Sequence, residues 1–346
     1  MKKVLEDVAF TFDDVLVVPT FSTVPSRREV DLSVQLSKLK LRLPILCSNM
    51  DTIVSVEMCH ALASRGAVGV LHRFKMDPDQ NAEFFKDSIY NNVKPVGSIG
   101  INKEEIERAE ALVKAGCEMF CIDVANGAQT AVVNMHDALR KKFKNNIGIV
   151  VGNFATGASI EAFLHHSKTK SVDAFKVGIG GGSACTTRIK TGCGYPQLSA
   201  VLDCVATGQN IISDGGHNKP ADICKSLAAG AACVMLGGMF SATDECPGEI
   251  ISNEKGEKFK KYRGSASQES YEVQGKVSEW RTAEGESFPV PHKGSVHRVI
   301  DDIEGGIRSS LTYVDAKNLK EYVAKAQLIR VSSIAVGENG AHGKGK

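Results

Sequence analysis

Short apolar runs alternate with amphipathic stretches of helical length along most of the chain. The apolar runs are rich in Val and Ile and lack polar alternation, which is typical of parallel strands covered on both faces. Between them lie helical patterns such as Lys103–Lys114, with acidic residues early and a lysine late, as the helix dipole favours. We predict strands over eight of these runs: Leu43–Cys47, Val68–Leu71, Val96–Gly100, Phe120–Val124, Ile147–Val151, Ala174–Gly178, Ile211–Asp214 and Cys233–Leu236.

Eight strand–helix units in a chain of 346 residues predict an α/β fold, a (β/α)8 TIM barrel. An open, doubly wound sheet is the alternative, and the number of repeats weighs against it. In a barrel, groups that directly follow the strands gather on the face that carries the chemistry. Here those groups are Asn49–Asp51, His72–Arg73, Asp123, Gly152–Asn153, the loop around Cys185, Asp214–Gly216 and Gly237–Gly238.

The alternation breaks after the eighth predicted strand, from Thr243 to about His297. This charged segment is too long for an ordinary connection, so we expect a lid-like insertion, a binding loop or a disordered tether. Residues 337–346 have no apolar side chain larger than alanine, which predicts a flexible tail. The expected organisation is one catalytic domain over residues 1–336, with residues 243–297 as its active-site flap.

Composition excludes several classes of protein. The 42% apolar and 24% charged content is ordinary for a globular protein, and a net charge of +2 does not indicate a nucleic-acid partner or an anionic membrane surface. No run approaches the roughly 18 apolar residues that span a bilayer, and the N-terminus turns acidic too early for a signal peptide. The ten cysteines are scattered through apolar segments, which favours reduced thiols and a cytoplasmic protein.

Cys185 differs from the other cysteines because it lies in the glycine-rich stretch Gly178–Arg188, directly after a predicted strand. Glycines let main-chain groups approach a ligand closely, and neighbouring hydroxyls and positive charge favour a thiolate. The functional interpretation is a nucleophile at the mouth of an α/β fold. A buried structural thiol beside a tight turn is the alternative.

Glycine pairs follow the seventh and eighth predicted strands, where barrel enzymes often bind phosphate. Their amides can point at phosphate oxygens, a nearby serine can donate a hydroxyl, and an aspartate can accept hydrogen bonds from a ribose diol. Either pair alone could serve only a tight turn, but the two together predict a phosphate site. The residues are Ser183, Asp214, Gly215, Gly216, Gly237 and Gly238.

Long motifs, all in the same order, resemble those of the IMP dehydrogenase and GMP reductase family. The catalytic loop of that family is matched by Gly182–Arg188, followed by Thr191–Gln197. The resemblance runs from Phe12 to about Val331, and it implies a TIM barrel that binds a purine nucleotide monophosphate. The other matching motifs are Phe12–Leu16, Ser48–Asp51, Asp123–Gly127, Asp214–Gly216, Met235–Met239 and Glu284–Gly285.

Within this family the dehydrogenases oxidise IMP with NAD and hydrolyse a covalent intermediate, whereas the reductases release ammonia from GMP and form IMP with NADPH. The reductase is favoured because no regulatory CBS domain follows the second strand. Residues 280–285 also lack the Arg-Tyr pair with which dehydrogenases activate water, and Lys190 and Tyr195 are typical of reductases. A minimal dehydrogenase and a catalytically silent nucleotide-binding protein are the alternatives.

The resemblance implies that Cys185 forms a covalent thioimidate at C2 of the purine. Thr187 and Glu284 would relay the proton that ammonia needs to leave, although Glu284 could instead be an ordinary solvated loop acid. Further substrate contacts are implied for Gly264, Arg281 and Gly285. Gly181 replaces a common proline and Ser265 a common methionine, which puts the loop's rigidity and its base contacts in doubt.

The resemblance also implies NADPH, a potassium ion and a homotetramer. Arg27 suits a 2′-phosphate because its guanidinium can bind phosphate in a bidentate manner, and no early Gly-x-Gly-x-x-Gly motif indicates Rossmann-type binding. The implied cofactor residues are Ser26, Arg27, Arg73, Asp123, Val124, Ala125, Ser309, Ser310, Leu311 and Thr312. The implied potassium ligands are Gly180, Gly182, Cys185 and Arg188.

Overall fold

Eight parallel strands surround the centre of the structure, a computed structural model that describes residues 8–273 and 282–332. The strands along the chain are β1 (Val15–Val17), β2 (Val34–Leu36), β3 (Leu39–Leu41), β4 (Ile45–Cys47), β5 (Val68–Gly69), β6 (Gly97–Ile99), β7 (Met119–Asp123), β8 (Gly148–Phe154), β9 (Ala174–Val177), β10 (Ile211–Asp214), β11 (Cys233–Leu236), β12 (Ile251–Ser252), β13 (Lys258–Arg263), β14 (Ser287–Pro291) and β15 (Leu328–Arg330). The helices are α1 (Val56–Ser64), α2 (Pro78–Asp87), α3 (Glu105–Lys114), α4 (Thr130–Phe143), α5 (Gly157–His166), α6 (Thr187–Thr191), α7 (Gln197–Val205), α8 (Pro220–Ala228), α9 (Gln268–Val273), α10 (Val296–Tyr313) and α11 (Leu319–Lys325). Short 3-10 helices lie at Phe12–Asp14, Arg27–Glu29 and Lys144–Asn146.

The large sheet closes on itself. Its strand order is β5-β4-β11-β10-β9-β8-β7-β6, and a parallel bridge between Val70 and Val96 joins the two outer strands. The amide of Leu71 donates to the carbonyl of Val96 at 2.8 Å, and the amide of Val96 donates to the carbonyl of Gly69 at 2.9 Å. The predicted TIM barrel and its eight strands are confirmed, and an open, doubly wound sheet is excluded.

Alternate strand residues fill the interior of the barrel, as the period of two along a strand requires. The buried interior side chains are Leu46, Val68, Val70, Val96, Met119, Cys121, Val150, Ala174, Ile212, Cys233 and Met235. The β2–β3 hairpin covers the end where the strands begin, because its leucines join this cluster and Ser37 lies against Gly148, the first residue of β8. At the other end of the barrel, the next inward-facing layer is polar. It consists of Asp123, Lys176 and Asp214, each two positions after an interior residue of its own strand.

The helices cover the outside of the barrel with apolar faces. In α10 the buried residues recur at spacings of three or four, which places them on one face of the helix. Side-chain caps fix several helix starts: Ser55, Asp77 and Thr156 accept hydrogen bonds from main-chain amides in the first turn. The predicted helix over Lys103–Lys114 is confirmed as α3. Within the described ranges, every helix is too short or too polar to cross a membrane.

The segment after the eighth strand forms a small antiparallel sheet in the order β12-β13-β14. It attaches to the barrel where β4 ends, since Arg263 forms an ion pair with Asp51 and the hydroxyl of Thr52 donates to the carbonyl of Arg263 at 3.3 Å. The role of this segment as an active-site flap stays a prediction. Residues 274–281 of the segment and the predicted tail 337–346 lie outside the described residues.

Candidate active site

A cavity of about 500 Å³ opens where the barrel strands end. Side chains and main-chain groups at the ends of β4, β7, β8, β9, β10 and β11, together with residues of the post-barrel segment, line it. The predicted clustering of groups that follow the strands is thereby confirmed. The cavity is large enough for a small organic ligand, and its lining combines glycine backbone, a thiol, hydroxyls and buried charges.

The thiol of Cys185 begins a chain of hydrogen bonds. Its Sγ donates to Oγ1 of Thr187 at 3.1 Å, and that hydroxyl donates to Oε2 of Glu284 at 2.8 Å. Cys185 is partly exposed in the cavity, so its sulfur can be reached by a ligand. The three groups form a continuous path along which a proton can move between the sulfur and a carboxylate.

Main-chain pairing holds Glu284 in this position. Cys185 and Gly285 form an antiparallel bridge, the amide of Thr186 donates to the carbonyl of Glu284 at 2.8 Å, and the amide of Glu286 donates to the carbonyl of Ala184 at 2.9 Å. The cysteine loop and the post-barrel segment therefore behave here as neighbouring strands. This pairing positions the carboxylate, which argues against Glu284 as an ordinary solvated acid.

The predicted phosphate glycines lie beside two hydroxyls. A Cβ on Gly238 would come within 2.5 Å of Ser183 Oγ, and a Cβ on Gly237 would come within 2.6 Å of Ser48 Oγ, so a side chain at either position would displace the neighbouring hydroxyl. The Ser183 hydroxyl donates to the hydroxyl of Tyr262 at 3.5 Å. Tyr262 is 4% exposed, and its burial raises the pKa of its hydroxyl, which therefore stays a neutral donor.

Sequence reasoning missed Tyr262 as a member of the site. Its strand, β13, reads Lys-Phe-Lys-Lys-Tyr-Arg and lacks the apolar run that marked the barrel strands. Gly264 and Gly285, which were predicted, approach the cysteine loop: a Cβ on Gly264 would lie 3.0 Å from the carbonyl of Ala184, and one on Gly285 would lie 3.2 Å from it. Arg281 lies outside the described residues.

A charged layer forms the floor of the cavity. The ammonium of Lys176 lies 2.8 Å from Oδ2 of Asp214 and 3.1 Å from Oδ1 of Asp123, and it also donates to Oδ1 of Asn153. Burial works to raise the pKa of Asp123, but the charges of Lys176 and Arg73 outweigh it and hold that pKa below the usual carboxyl range. Sequence reasoning missed Lys176, although a lysine within an apolar barrel strand was a signal.

The predicted cofactor residues fall into two groups. Arg73, Asp123, Val124 and Ala125 line the cavity, and Nη1 of Arg73 is buried without a hydrogen-bond partner among the described residues. The second group lies together elsewhere, where Arg308 Nη1 donates to the carbonyl of Arg27 at 3.2 Å. This second group does not line the cavity of the same chain. Its members are Ser26, Arg27, Ser309, Ser310, Leu311 and Thr312.

The predicted potassium ligands follow one another along the cysteine loop. Gly180, Gly182 and Cys185 line the cavity, and Arg188 lies in the first turn of α6, where its Nη2 donates to the carbonyl of Tyr195 at 2.5 Å. A Cβ on Gly180 would come within 2.6 Å of Arg188 Cγ. The arginine side chain therefore packs against the loop that carries the other predicted ligands.

Gly178 joins the end of β9 to this loop, and its replacement should disrupt the site. Gly178 has φ +148°, and a Cβ there would lie 1.8 Å from the main-chain oxygen of Asp214. We expect Gly178→Ala to destabilise the protein by more than about 3 kcal/mol in urea unfolding, since backbone rather than a flexible side chain must move. Gly116→Ala is the control, because Gly116 also has positive φ but no atom within 4 Å of its Cβ position. The control should cost only about 1 kcal/mol, and equal losses in the two variants would contradict the clash.

The fold and the cavity together identify the class of protein. It is a (β/α)8-barrel enzyme with a cysteine in a glycine-rich loop where the strands end. The model of the IMP dehydrogenase / GMP reductase domain matches residues 9–342. The chain therefore belongs to the IMP dehydrogenase / GMP reductase family, and the resemblance noted from its motifs is confirmed.

Relatives of the chain are named as reductases. It is 37% identical over 345 residues to GMP reductase 1 of Mus musculus, covering 96% of this chain and 98% of that protein. It is 38% identical over 344 residues to GMP reductase of Yersinia enterocolitica, covering 95% and 97%. A crystal structure of GMP reductase from Trypanosoma brucei in complex with guanosine 5′-monophosphate is similar with a TM-score of 0.88 and 25% identity, covering 98% of each chain.

Proposed function

We propose that this enzyme converts GMP to IMP, with release of ammonia and with NADPH as the reductant. The observation that carries the proposal is the Cys185–Thr187–Glu284 hydrogen-bond chain inside the cavity. The names of the relatives support GMP as the substrate. The described part of the segment, residues 282–285, reads Thr-Ala-Glu-Gly and offers a proton carrier in place of the dehydrogenase's water-activating pair.

The hydrogen-bond chain supports a covalent route that balances in atoms and charge. Cys185 Sγ bonds to C2 of the purine while its proton passes through Thr187 to Glu284. Glu284 returns that proton through Thr187 to the C2 amino group, which leaves as ammonia and gives a thioimidate. Bound NADPH supplies a hydride for C2. The C–S bond then breaks, IMP forms, and the released thiolate takes a proton from water.

The nucleotide is proposed to sit with its phosphate against Ser183, Tyr262 and the glycine pairs and with its ribose near Asp214. The carboxylate of Asp214 receives hydrogen bonds on Oδ2 from Lys176 and Asn153. Its other oxygen, Oδ1, receives none from the described residues and can accept from the ribose hydroxyls. The close contacts of Gly215 with Gly181 keep the two glycine loops together, since a Cβ on Gly215 would lie 3.1 Å from Gly181 C.

Tyr262→Phe tests the phosphate end of this arrangement. We expect the KM for GMP to rise roughly 10- to 100-fold with little change in kcat, because a hydrogen bond to a charged group is lost. Tyr90→Phe is the control, since Tyr90 is 38% exposed and does not line the cavity. Steady-state kinetics measure the KM, and calorimetry compares GMP with guanosine. An equal loss of affinity for guanosine would show that Tyr262 does not act on the phosphate.

The nicotinamide end of NADPH is proposed to lie in the part of the cavity around Arg73. The buried Nη1 of Arg73, without a hydrogen-bond partner among the described residues, is a donor for a neutral oxygen such as a carboxamide. Asp123, Val124 and Ala125 lie beside it. The group around Arg27 does not line this cavity, so we propose that it contacts the cofactor of a neighbouring subunit in a homotetramer.

A potassium ion is proposed on main-chain carbonyls of the cysteine loop. The carbonyl of Gly182 accepts one hydrogen bond from Cys185 at 3.0 Å, and that of Arg188 accepts one from Gly192 at 3.1 Å. Each oxygen keeps a second lone pair for a cation. Gly180 and Cys185 would complete the set, and the ion would hold the loop in the conformation that presents the thiol.

Turnover assays test the proposed function directly. Purified protein is incubated with GMP and NADPH, and separately with IMP and NAD, while the absorbance of the reduced nicotinamide and the release of ammonia are followed. We expect loss of NADPH absorbance with one ammonia per GMP, and no reaction in the second mixture, which contains neither the ammonia nor the NADP+ that the reverse reaction would need. Formation of NADH from IMP without ammonia would identify a dehydrogenase instead, and inactivity in both mixtures would favour a silent nucleotide-binding protein.

A further inference from the structure

Lys176 is a buried cation that the proposed covalent steps do not use. It lies on β9, two positions after the interior residue Ala174, and its side chain is 3% exposed. Burial works to lower the pKa of this ammonium, but Asp214 and Asp123 outweigh it and keep the pKa well above its ordinary value. Lys176 is therefore charged near pH 7.

The two carboxylates that pair with Lys176 come from opposite halves of the cavity. Asp214 ends β10, beside the glycine loops proposed for the nucleotide phosphate, and Asp123 ends β7, beside Arg73. Asn153 donates to Asp214 Oδ2 at 2.9 Å, and Asn49 donates to Asp123 Oδ2 at 3.0 Å. The ammonium at the centre is the group that touches both carboxylates.

We propose that Lys176 is a positioning residue that holds Asp214 and Asp123 in place as anions and so links the nucleotide half of the site to the cofactor half. The inference rests on the proposed function for the identity of the two ligands. By occupying Oδ2 of Asp214, the ammonium leaves Oδ1 as the acceptor for a ribose hydroxyl. Without it, Asp214 would have no ion-pair partner among the described residues and Asp123 would keep only Arg73, 3.9 Å away, which is costly for carboxylates so largely removed from solvent.

The charged and titratable groups around this layer come from several elements. Arg73 lies 3.9 Å from Asp123, and Glu105 lies 3.7 Å from Arg73. The thiol of Cys121 and the imidazole of His217 also feel these charges, but burial raises the pKa of Cys121 to about 12 and lowers that of His217 to about 4. Both groups are therefore neutral near pH 7. The net charge of this layer is set by the lysine, the arginine and the carboxylates.

Lys176→Met removes the charge at nearly constant length. We expect the Kd for GMP and the Kd for NADPH, each measured alone by calorimetry, to rise roughly 10- to 100-fold. The pKa of Asp123 should rise when the lysine charge is lost, so NADPH affinity should fall at a higher pH on acidification than in the wild type. Lys176→Arg keeps the charge and should restore the wild-type pH dependence.

Lys225→Met is the matched control. Lys225 is 4% exposed, like Lys176, but its ammonium donates to the carbonyl of Phe12 at 2.9 Å, outside the cavity. The control should lower thermal stability without changing either Kd. If Lys176→Met behaves in the same way, folded and with both Kd values intact, then Lys176 is merely structural and the inference is overturned.

A double variant keeps the inference testable if Lys176→Met does not fold. Lys176→Met with Asp123→Asn removes one positive and one negative charge together, and it should still bind GMP more weakly than Asp123→Asn alone. Equal GMP affinity in these two variants would overturn the inference. The proposed function fails separately, since it requires turnover by the wild type, whereas these comparisons need only binding.

Discussion

Cys185→Ala should lower the rate of GMP reduction on the order of 10⁴-fold or more, because it removes the sulfur that is proposed to bond to the purine. The Kd for GMP should change little, since the proposed phosphate and ribose contacts are made by residues other than Cys185. Turnover assays give the rate and calorimetry gives the Kd. Mass spectrometry after an acid quench should detect a nucleotide adduct on the wild-type protein during turnover and none on the variant.

Cys193→Ala is the control for this experiment. Cys193 follows the same loop but is exposed, and it does not line the cavity. Its replacement should leave turnover unchanged. A Cys185→Ala variant that reduces GMP at the wild-type rate would show that Cys185 is only a structural thiol, and it would remove the basis for the covalent route.

Glu284→Gln should reduce turnover by about 10²- to 10⁴-fold, the usual contribution of a general acid–base group. Glutamine keeps the shape and can still accept the hydrogen bond from Thr187, but it cannot hold the proton that ammonia needs. The affinity for GMP should change far less, because the residues proposed to bind the phosphate do not include Glu284. Single-turnover measurements should show slow release of ammonia, which separates this step from hydride transfer.

Glu286→Gln provides the matched comparison, because Glu286 is an exposed acid two positions away in the same segment. It should retain full activity. A Glu284→Gln variant with a near-normal rate, or one that loses only GMP affinity, would refute the proton relay and reopen the choice between reductase and dehydrogenase.

The barrel could be predicted from the sequence because a buried parallel strand leaves a continuous apolar run. The same rule concealed two features of the site. Lys176 is buried inside such a run, and only the closed barrel shows that Asp123 and Asp214 lie close enough to neutralise it. Tyr262 lies on a strand rich in lysine, whose apolar partners come from distant parts of the chain.

Motif order could predict which residues are functional but not which of them share a cavity. Arg27 and Arg73 were assigned to one cofactor, yet in a single chain they belong to different surfaces, since only Arg73 lines the cavity. The position of Arg27 depends on how the segment before the barrel packs against α10. Such packing leaves no periodic pattern, so the sequence could not reveal it.

The pairing of the cysteine loop with residues 284–286 has a consequence for reactivity between catalytic cycles. Thr187 and Glu284 lie 97 residues apart in the sequence, and their segments meet through a few main-chain hydrogen bonds at the edge of the cavity. Any motion that parts these segments also disconnects the thiol from its base. Because the proposed proton path from Cys185 to Glu284 depends on this pairing, we expect the thiol to pass its proton to Glu284 only while the two segments are hydrogen-bonded to each other.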